Sequence, residues 1–465
     1  MVPPERSFIV LGETKGRIRL ALFAASPEDR LDLREETVPD FETEDLVREI
    51  ERLSAREKDI RAEWDVLAGK KENLLAYGRI LEGKLSFARV HSGMGQEEGF
   101  VFVQGFCPRD AVPAVKSAAA SEGWGFLAVD PDDPGEVPTL IRNPGWVRSI
   151  QPLFNFMGTF PGYAETDANA FLLIFLSLFF AILIGDAGYG LLFLGLTFLA
   201  RKKAGTRAPR ELFRLMFLLS STTIVWGVLT GTYFGFAAIA KLPLLNSLVI
   251  QKIDSFAEGN APFMMWICFL IGVIQLTVAH LYKTVLLWPS PRLLGQVGWV
   301  GIVWSVFLLI GNLVVGRPLP SFVGLLLGGG IALALIFGNF QKNIIKGVFA
   351  SLIDLPLSVI GTFSDLMSYL RLFAVGFASL TVAGSFNQLA VGSGIHSIGQ
   401  GLLAALILFF GHSLNIVLGG LSFMVHGVRL NMLEFSGHLG LQWTGFKYEP
   451  FREPETKIHN ERKIQ

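Results

Sequence analysis

From residue 261 to residue 350 this chain contains no aspartate and no glutamate, and that one stretch excludes most ways of folding in water. A soluble domain spreads charges of both signs over its surface, whereas this region is built from apolar runs at about 262–288, 295–315 and 319–338. Runs of roughly 20 apolar residues match the ~30 Å hydrocarbon core of a bilayer. Further runs cover 171–200, 212–240, 350–392 and 400–433. The first is interrupted midway by "GDAGYG", Gly185 to Gly190; glycines beside a charged aspartate at that depth predict two short helices around an irregular break. Counted as two, that run brings the total to eight. The expected fold class is therefore a polytopic α-helical membrane protein of about eight transmembrane helices, the last two long and tilted.

Charge is concentrated elsewhere. Only 17% of the 465 residues are charged against 51% hydrophobic, and residues 1–150 hold most of the acidic ones. In that head, "SFIVLGE" and "GRIRLALFA" predict a β-hairpin or two neighbouring strands. From Thr43 onward Leu46, Ile50, Leu53, Ile60, Trp64, Leu67 and Leu74 follow 4,3 spacing, with Glu57 and Lys71 interrupting, the pattern of a helical coiled-coil arm at about 43–88. "GFVFVQGFCP" predicts a strand, Ala111 to Ser121 a short helix and "GFLAVD" another strand, giving a small N-terminal α/β head. The stretch "GRILEGKLS", Gly78 to Ser86, lacks a phosphate loop's metal-binding hydroxyl, since Leu85 stands there. No nucleotide site is expected, so the chain is not an enzyme by itself. Zero formal net charge and no basic patch interleaved with aromatics argue against nucleic acid. Cys107 and Cys268 lie in different halves and suggest neither a disulfide framework nor a thiolate metal site; no cofactor and no metal are expected.

The amino terminus has no basic segment followed by an apolar run and a cleavage site, so the head is expected to stay cytoplasmic. "DPDDPGEVPT" reads as a boundary linker. The expected layout is a head at 1–145, a linker and membrane approach at 146–167, a transmembrane body at 168–438 and a tail at 439–465. Arg201, Lys202, Lys203, Arg207, Arg210 and Arg214 form a basic cluster that belongs in the cytoplasm. Parity then agrees with a hairpin broken at "GDAGYG", a re-entrant loop fitting equally well, and puts the carboxyl tail on the same side as the head.

In "SDLMSYLRLFAVGFASL", Ser364 to Leu380, Arg371 interrupts an apolar, small-residue helix. Its charge costs about 2.5–3.5 kcal/mol at the bilayer centre on insertion scales, and a guanidinium cannot shed that charge. Ser364, Ser368, Arg371, Ala374, Ala378, Thr381, Ser385 and Gln388 share one helical face. In the last run, His412, Asn415, Gly419, Ser422, His426 and Arg429 form a second stripe. Such stripes either bury against each other or line an ion path. Glu434 and Asp365 fall near helix ends; Asp186 reads as a residue that holds irregular backbone together, and Gln275 and His280 as packing groups.

These residues resemble a known family. "SDLMSYLRLFAVGFA" is similar to the arginine-bearing helix of the large membrane stator subunit, called a or I, of V-type and archaeal-type rotary ATPases. "VPTLIRNP", "PGYAETD", "LFFAILIGDAGYGLL", "GVIQL" and "HGVRLNMLEFSGH" agree in the same order, over roughly Gly105 to Phe451. The resemblance implies that a rotor proteolipid c-ring carries a buried carboxylate past Arg371, and that H⁺ or Na⁺ reaches it through two offset half-channels. The fixed cation favours the ionised carboxylate and cannot itself relay a proton. His412, Asn415, Ser422 and Arg429, with Ser368, Thr381, Ser385 and Gln388, become ion-pathway candidates, and Glu434, His426 and Asp365 candidates for the cytoplasmic mouth. Implied partners are the c-ring, peripheral stalk subunits and a central-stalk subunit. The head is shorter than is usual in the family, Gly419 stands where some relatives carry an acid, and "GYG" favours a prokaryotic member of a cytoplasmic membrane. A secondary transporter and a non-conducting structural paralogue stay open beside this reading.

Overall fold

The computed structural model describes residues 8–14, 17–22, 43–205, 208–257, 259–340, 344–392 and 394–451. Arg207 of the basic cluster, the extreme amino terminus, the link between hairpin and arm, and the tail beyond 451 lie outside the described residues. The chain divides into two compact units, residues 1–104 with 451–465, and residues 105–450.

In the first unit the expected hairpin forms. β1 (Phe8–Thr14) pairs antiparallel with β2 (Arg17–Leu22), Phe8 opposite Leu22 and Thr14 opposite Arg17. α1 (Thr43–Ser92) is a 50-residue helix, about 75 Å long. Glu44 and Asp45 complement its N-terminal dipole and Arg89 and His91 its C-terminal one. Glu49–Arg52 and Glu57–Arg61 pairs lie along its surface. The positions of its apolar stripe are exposed, Ile50 at 64%, Trp64 at 71% and Leu74 at 69%, while Ile80 and Val90 further along are part-buried. Helix propensity and ion pairs therefore hold α1 without a buried face. A second hairpin follows, β3 (Gly95–Glu97) with β4 (Phe100–Phe102), turning at Gly99 with φ +96°.

Two strand expectations need correction. "GFVFVQGFCP" forms a strand only over Phe100–Phe102, and "GFLAVD" has no regular structure. Apolar alternation alone does not make a strand; it needs a neighbour to pair with, and among the described residues each hairpin pairs only within itself.

The second unit starts with α2 (Val112–Ser121), beside which Arg142 holds Asp110 at 2.8 Å; that hydrogen bond lowers the Asp110 carboxyl below its usual range. α3 (Gln151–Met157) follows a 3₁₀ turn, and Ile150 and Phe154 are buried in the helical core. α4 (Asn169–Ile184) and α5 (Ala187–Ala204) meet at 120°. α6 (Arg210–Thr230) leads into one-turn helices α7 (Ala237–Ala240) and α8 (Pro243–Asn246). Then come α9 (Ala261–Leu286), α10 (Arg292–Val315), α11 (Val323–Phe337), α12 (Ile344–Ser368), α13 (Leu370–Val391) and α14 (Ile398–Ser422). π-helical turns at Phe423–Gly427 and Leu430–Phe435 carry α14 into α15 (Ser436–Leu439).

Five described helices are long and apolar enough to cross a membrane, six if the bent α4–α5 pair counts as one span. The final two runs, 47 and 42 residues, are the longest of the five. α11 is equally apolar but has 15 residues, about 22 Å, short of the ~30 Å core. α9 lies between two cores. Cys268 and Ala279 pack with α4, α6, α13 and the carboxyl end, while Phe269, Val273 and Leu276 pack with α10, α11 and α12. Close approach of α10 and α11 depends on Gly298, where a Cβ would lie 2.7 Å from the Gly330 carbonyl.

Candidate functional site

The α4–α5 bend is built from its sequence. Gly185 ends α4 in the left-handed region, φ +66°. Asp186 then caps α5, its carboxylate accepting from the backbone N–H groups of Gly188, Tyr189, Phe234 and Gly235 at 2.7–3.2 Å. Two of those donors come from the loop after α6, so one buried side chain ties together both irregular segments. Asp186 thus holds backbone, as its sequence context suggests.

Next to this bend, at what we term the distal end, the turn points Tyr189 at the last helices. Its hydroxyl lies 2.7 Å from His412 Nδ1 and accepts from Asn415 Nδ2 at 3.1 Å. His412 Nε2 lies 3.1 Å from Asn387 Oδ1, and Asn387 Nδ2 donates to the Phe234 carbonyl at 2.7 Å. Ser379 Oγ donates to Asn415 Oδ1 at 3.2 Å. His412 and Asn415, two members of the second stripe, are therefore brought together with Tyr189, Ser379 and Asn387, which the sequence reading did not single out.

A second polar network sits at the opposite, proximal end, where α4 begins. Tyr369 Oη donates to Gln275 Oε1 at 2.7 Å, and Gln275 Nε2 donates to Asn431 Oδ1 at 2.8 Å. Gly272 makes room for the Tyr369 ring; a Cβ there would lie 2.6 Å from its Cγ. Asp365 Oδ2 lies 3.1 Å from His438 Nε2, and His438 Nδ1 lies 3.0 Å from His280 Nε2. Arg429 Nε approaches Glu434 Oε1 at 3.8 Å, the glutamate being buried and the arginine half exposed. Gln275 and His280, expected as packing groups, are each bonded to a residue of the carboxyl-terminal segment. The two networks meet α13 about 27 Å apart, from Tyr369 to Asn387.

Arg371 follows Tyr369 by two residues, at the proximal end of that interval. Its Nη1 is buried and has no hydrogen-bond partner among the described residues, and the same holds for His426 Nδ1, Asn431 Nδ2 and Glu434 Oε2. Buried polar atoms of this kind are normally satisfied by water or by a group from another molecule. Beyond Arg371, Ala374, Ala378, Thr381, Ser385 and Gln388 all face outward from the bundle. Thr381 and Ser385 return their hydroxyls to the Phe377 and Thr381 carbonyls, and Ser368 bonds the Ser364 carbonyl. The first stripe is thus exposed beyond Arg371, while the second turns inward: Asn415 and Gly419 are buried, and Ser422 and His426 partly so. At Gly419 a Cβ would meet Ile184 Cδ1 at 2.8 Å, so a larger residue needs Ile184 to move.

A permanently charged group, an outward small-residue face and two separated polar networks occur here in the order of the motifs read from the sequence. An alignment covering 97% of this chain and 76% of a protein from Treponema pallidum, at 33% identity, decides the family. The chain belongs to the V-type/A-type ATP synthase subunit I family. The Treponema pallidum relative is named V-type ATP synthase subunit I 1. A V-type ATP synthase subunit I from Borreliella burgdorferi is 36% identical over 84% of this chain and 65% of its own length. An A-type ATP synthase subunit I from Methanocaldococcus jannaschii is 25% identical over 91% and 66%. The chain thus spans about two thirds to three quarters of the length of these subunit I relatives. No protein-family model matches it.

Proposed function

We propose that this subunit I chain is the ion-translocating stator of a V-type or A-type rotary ATPase, working only within that complex and carrying no nucleotide site. Arg371 is the observation that supports this reading best: a guanidinium with a buried, unpartnered Nη1 at the head of an outward face of small residues. An ionised carboxylate brought along that face by a rotor ring would complete the pairing and repay part of the cost of the buried charge. Arg371 would hold each arriving carboxylate ionised. It would also stop a proton passing straight from one network to the other, because it neither releases nor accepts one.

In this reading the Tyr189–His412–Asn387–Asn415 network lines the distal half-channel. His426, Arg429, Glu434, Asn431 and Asp365 line the proximal, cytoplasmic one. Thr381, Ser385 and Gln388 face the rotor. The head, the carboxyl end and the basic residues at the end of α5 and start of α6 lie in the cytoplasm, and α1 docks a peripheral stalk. With α4, α5 and α11 counted separately, eight segments enter the membrane.

The test is ATP-driven ion uptake into vesicles carrying the purified complex, comparing wild type with Arg371→Lys and Arg371→Ala at matched assembly. Loss in both variants is the expected result. Retained uptake by an assembled Arg371→Ala complex would overturn the assignment and favour a non-conducting structural role.

A further inference from the structure

Beside the proximal network runs a chain of groups, Gln296, His280, His438 and Asp365, of which the stator reading uses only the outermost, Asp365. Gln296 Oε1 lies 2.9 Å from His280 Nδ1, His280 Nε2 lies 3.0 Å from His438 Nδ1, and His438 Nε2 lies 3.1 Å from Asp365 Oδ2. His280 is 4% exposed and the His438 side chain 11%, whereas Asp365 is 35% exposed. The Trp299 ring lies parallel to His280 at 5.9 Å between centroids.

Each neutral imidazole has one donor and one acceptor nitrogen, so the first contact in such a chain dictates the rest. If the Gln296 oxygen faces His280, Nδ1 of His280 donates to it, and Nε2 accepts from Nδ1 of His438. Nε2 of His438 is then bare and confronts the Asp365 carboxylate, two acceptors 3.1 Å apart. That arrangement is satisfied only by one added proton, held between His438 Nε2 and Asp365 Oδ2. If the Gln296 amide turns its nitrogen to His280 instead, both rings carry their protons on Nε2. His280 donates to His438, His438 donates to the ionised Asp365, and no extra proton is needed. The two fully hydrogen-bonded states differ by one proton and by the facing of one amide.

We propose that Gln296, His280, His438 and Asp365 form a single-proton holding site at the proximal end of the bundle, which exchanges with water through Asp365. Its use in transport rests on the stator reading; the proton binding itself does not. The charged and titratable groups around it come from every packed element. Lys283 of α9 donates to the His438 carbonyl at 3.1 Å and opposes a further positive charge. Glu434 brings a second carboxylate near Asp365, with Arg429 3.8 Å from Glu434 and Arg371 also near that glutamate, and the Tyr369 hydroxyl is committed to Gln275. From α10 come the neutral Gln296 and Trp299, with Arg292, one turn before Gln296, donating to the Phe340 carbonyl.

The experiment is ¹⁵N-histidine NMR of the full chain in lipid nanodiscs across about pH 5 to 8, where imidazoles titrate. The expected wild-type result is one shared step in which, as the proton is added, His280 changes from its Nε2–H to its Nδ1–H form while His438 gains a proton on Nδ1 and shares the one at Nε2 with Asp365. Asp365→Asn removes the anion that holds the proton and should weaken its binding about tenfold or more, one pH unit downward. Gln296→Glu places a second acceptor at the buried end, favours the loaded state and should move the step upward by a similar factor. His438→Asn should abolish it. Rings that keep one tautomer throughout, that titrate in separate steps, or that ignore Gln296→Glu would overturn the proposal. Arg371→Ala should leave the histidine step in place while stopping ion uptake, so failure of the stator reading and failure of this one are told apart.

Discussion

Asp186 shows how one side chain sets the geometry of the membrane body. Its carboxylate accepts from four backbone N–H groups, two from the start of α5 and two from the loop after α6. Asp186→Ala strands those donors in a buried place, and each unsatisfied group costs about 1–3 kcal/mol. Thermal unfolding in detergent should show a loss of at least several kcal/mol, with the body failing to assemble as the extreme outcome. Asp186→Asn keeps one oxygen but turns an amide nitrogen on the remaining donors, and should cost distinctly less. Equal stability of wild type and Asp186→Ala would remove the carboxylate from its place as the organiser of the bend. Gly227 belongs to the same turn: a Cβ there would collide with the backbone of Ala187 and Asp186, so Gly227→Ala should separate α5 from α6. Measured as loss of folded protein at matched expression, it should be more severe than Gly361→Ala, where a Cβ meets nothing within 4 Å.

At the scale of elements, α13 and α14 divide the work by facing different ways. Ala374, Ala378, Thr381, Ser385 and Gln388 point out of the bundle, while Ala383 and Asn387 on the other side of α13 are buried. If the outward face meets a rotor ring, single cysteines at Ala378 and Ser385 should cross-link to cysteines on the ring within the assembled complex. A cysteine at Ala383, 1% exposed, should not. Equal cross-linking from both faces would exclude the face assignment. α14 turns its polar stripe inward, and its π-helical continuation shifts the register after Ser422. Asn415 therefore joins Tyr189 at one end and Asn431 joins Gln275 at the other, although a uniform 3,4 stepping predicts only the residues from His412 to Arg429. A π-turn bonds groups five rather than four residues apart, so apolar periodicity alone does not reveal where the face rotates.

For the molecule as a whole, the 50-residue α1 presents an apolar stripe that no described residue of its own unit covers. In the proposed role it docks a stalk helix. Leu53→Glu with Leu67→Glu should reduce co-purification of stalk chains at least tenfold, while leaving the thermal unfolding of residues 105–450 unchanged; undiminished co-purification would show that the stripe is not the docking face. Features that depend on neighbours along the chain were readable in advance. The helical runs, the break at Gly185–Asp186, the arm and the isolated charge of Arg371 all follow from local apolarity, from glycine's access to positive φ and from the cost of a charge in lipid. The strand expected at "GFLAVD" was not realised, because a strand depends on a partner that no local pattern guarantees. The polar networks lay outside that kind of reading for the same reason. Tyr189 meets His412 across 223 residues, Gln275 meets Asn431 across 156, and His280 meets His438 across 158. Such pairings are selected by the packing of α4, α9, α13 and α14, where small residues such as Gly272 and Gly419 set how near two helices come. Only the assembled bundle decides which buried donor finds which acceptor.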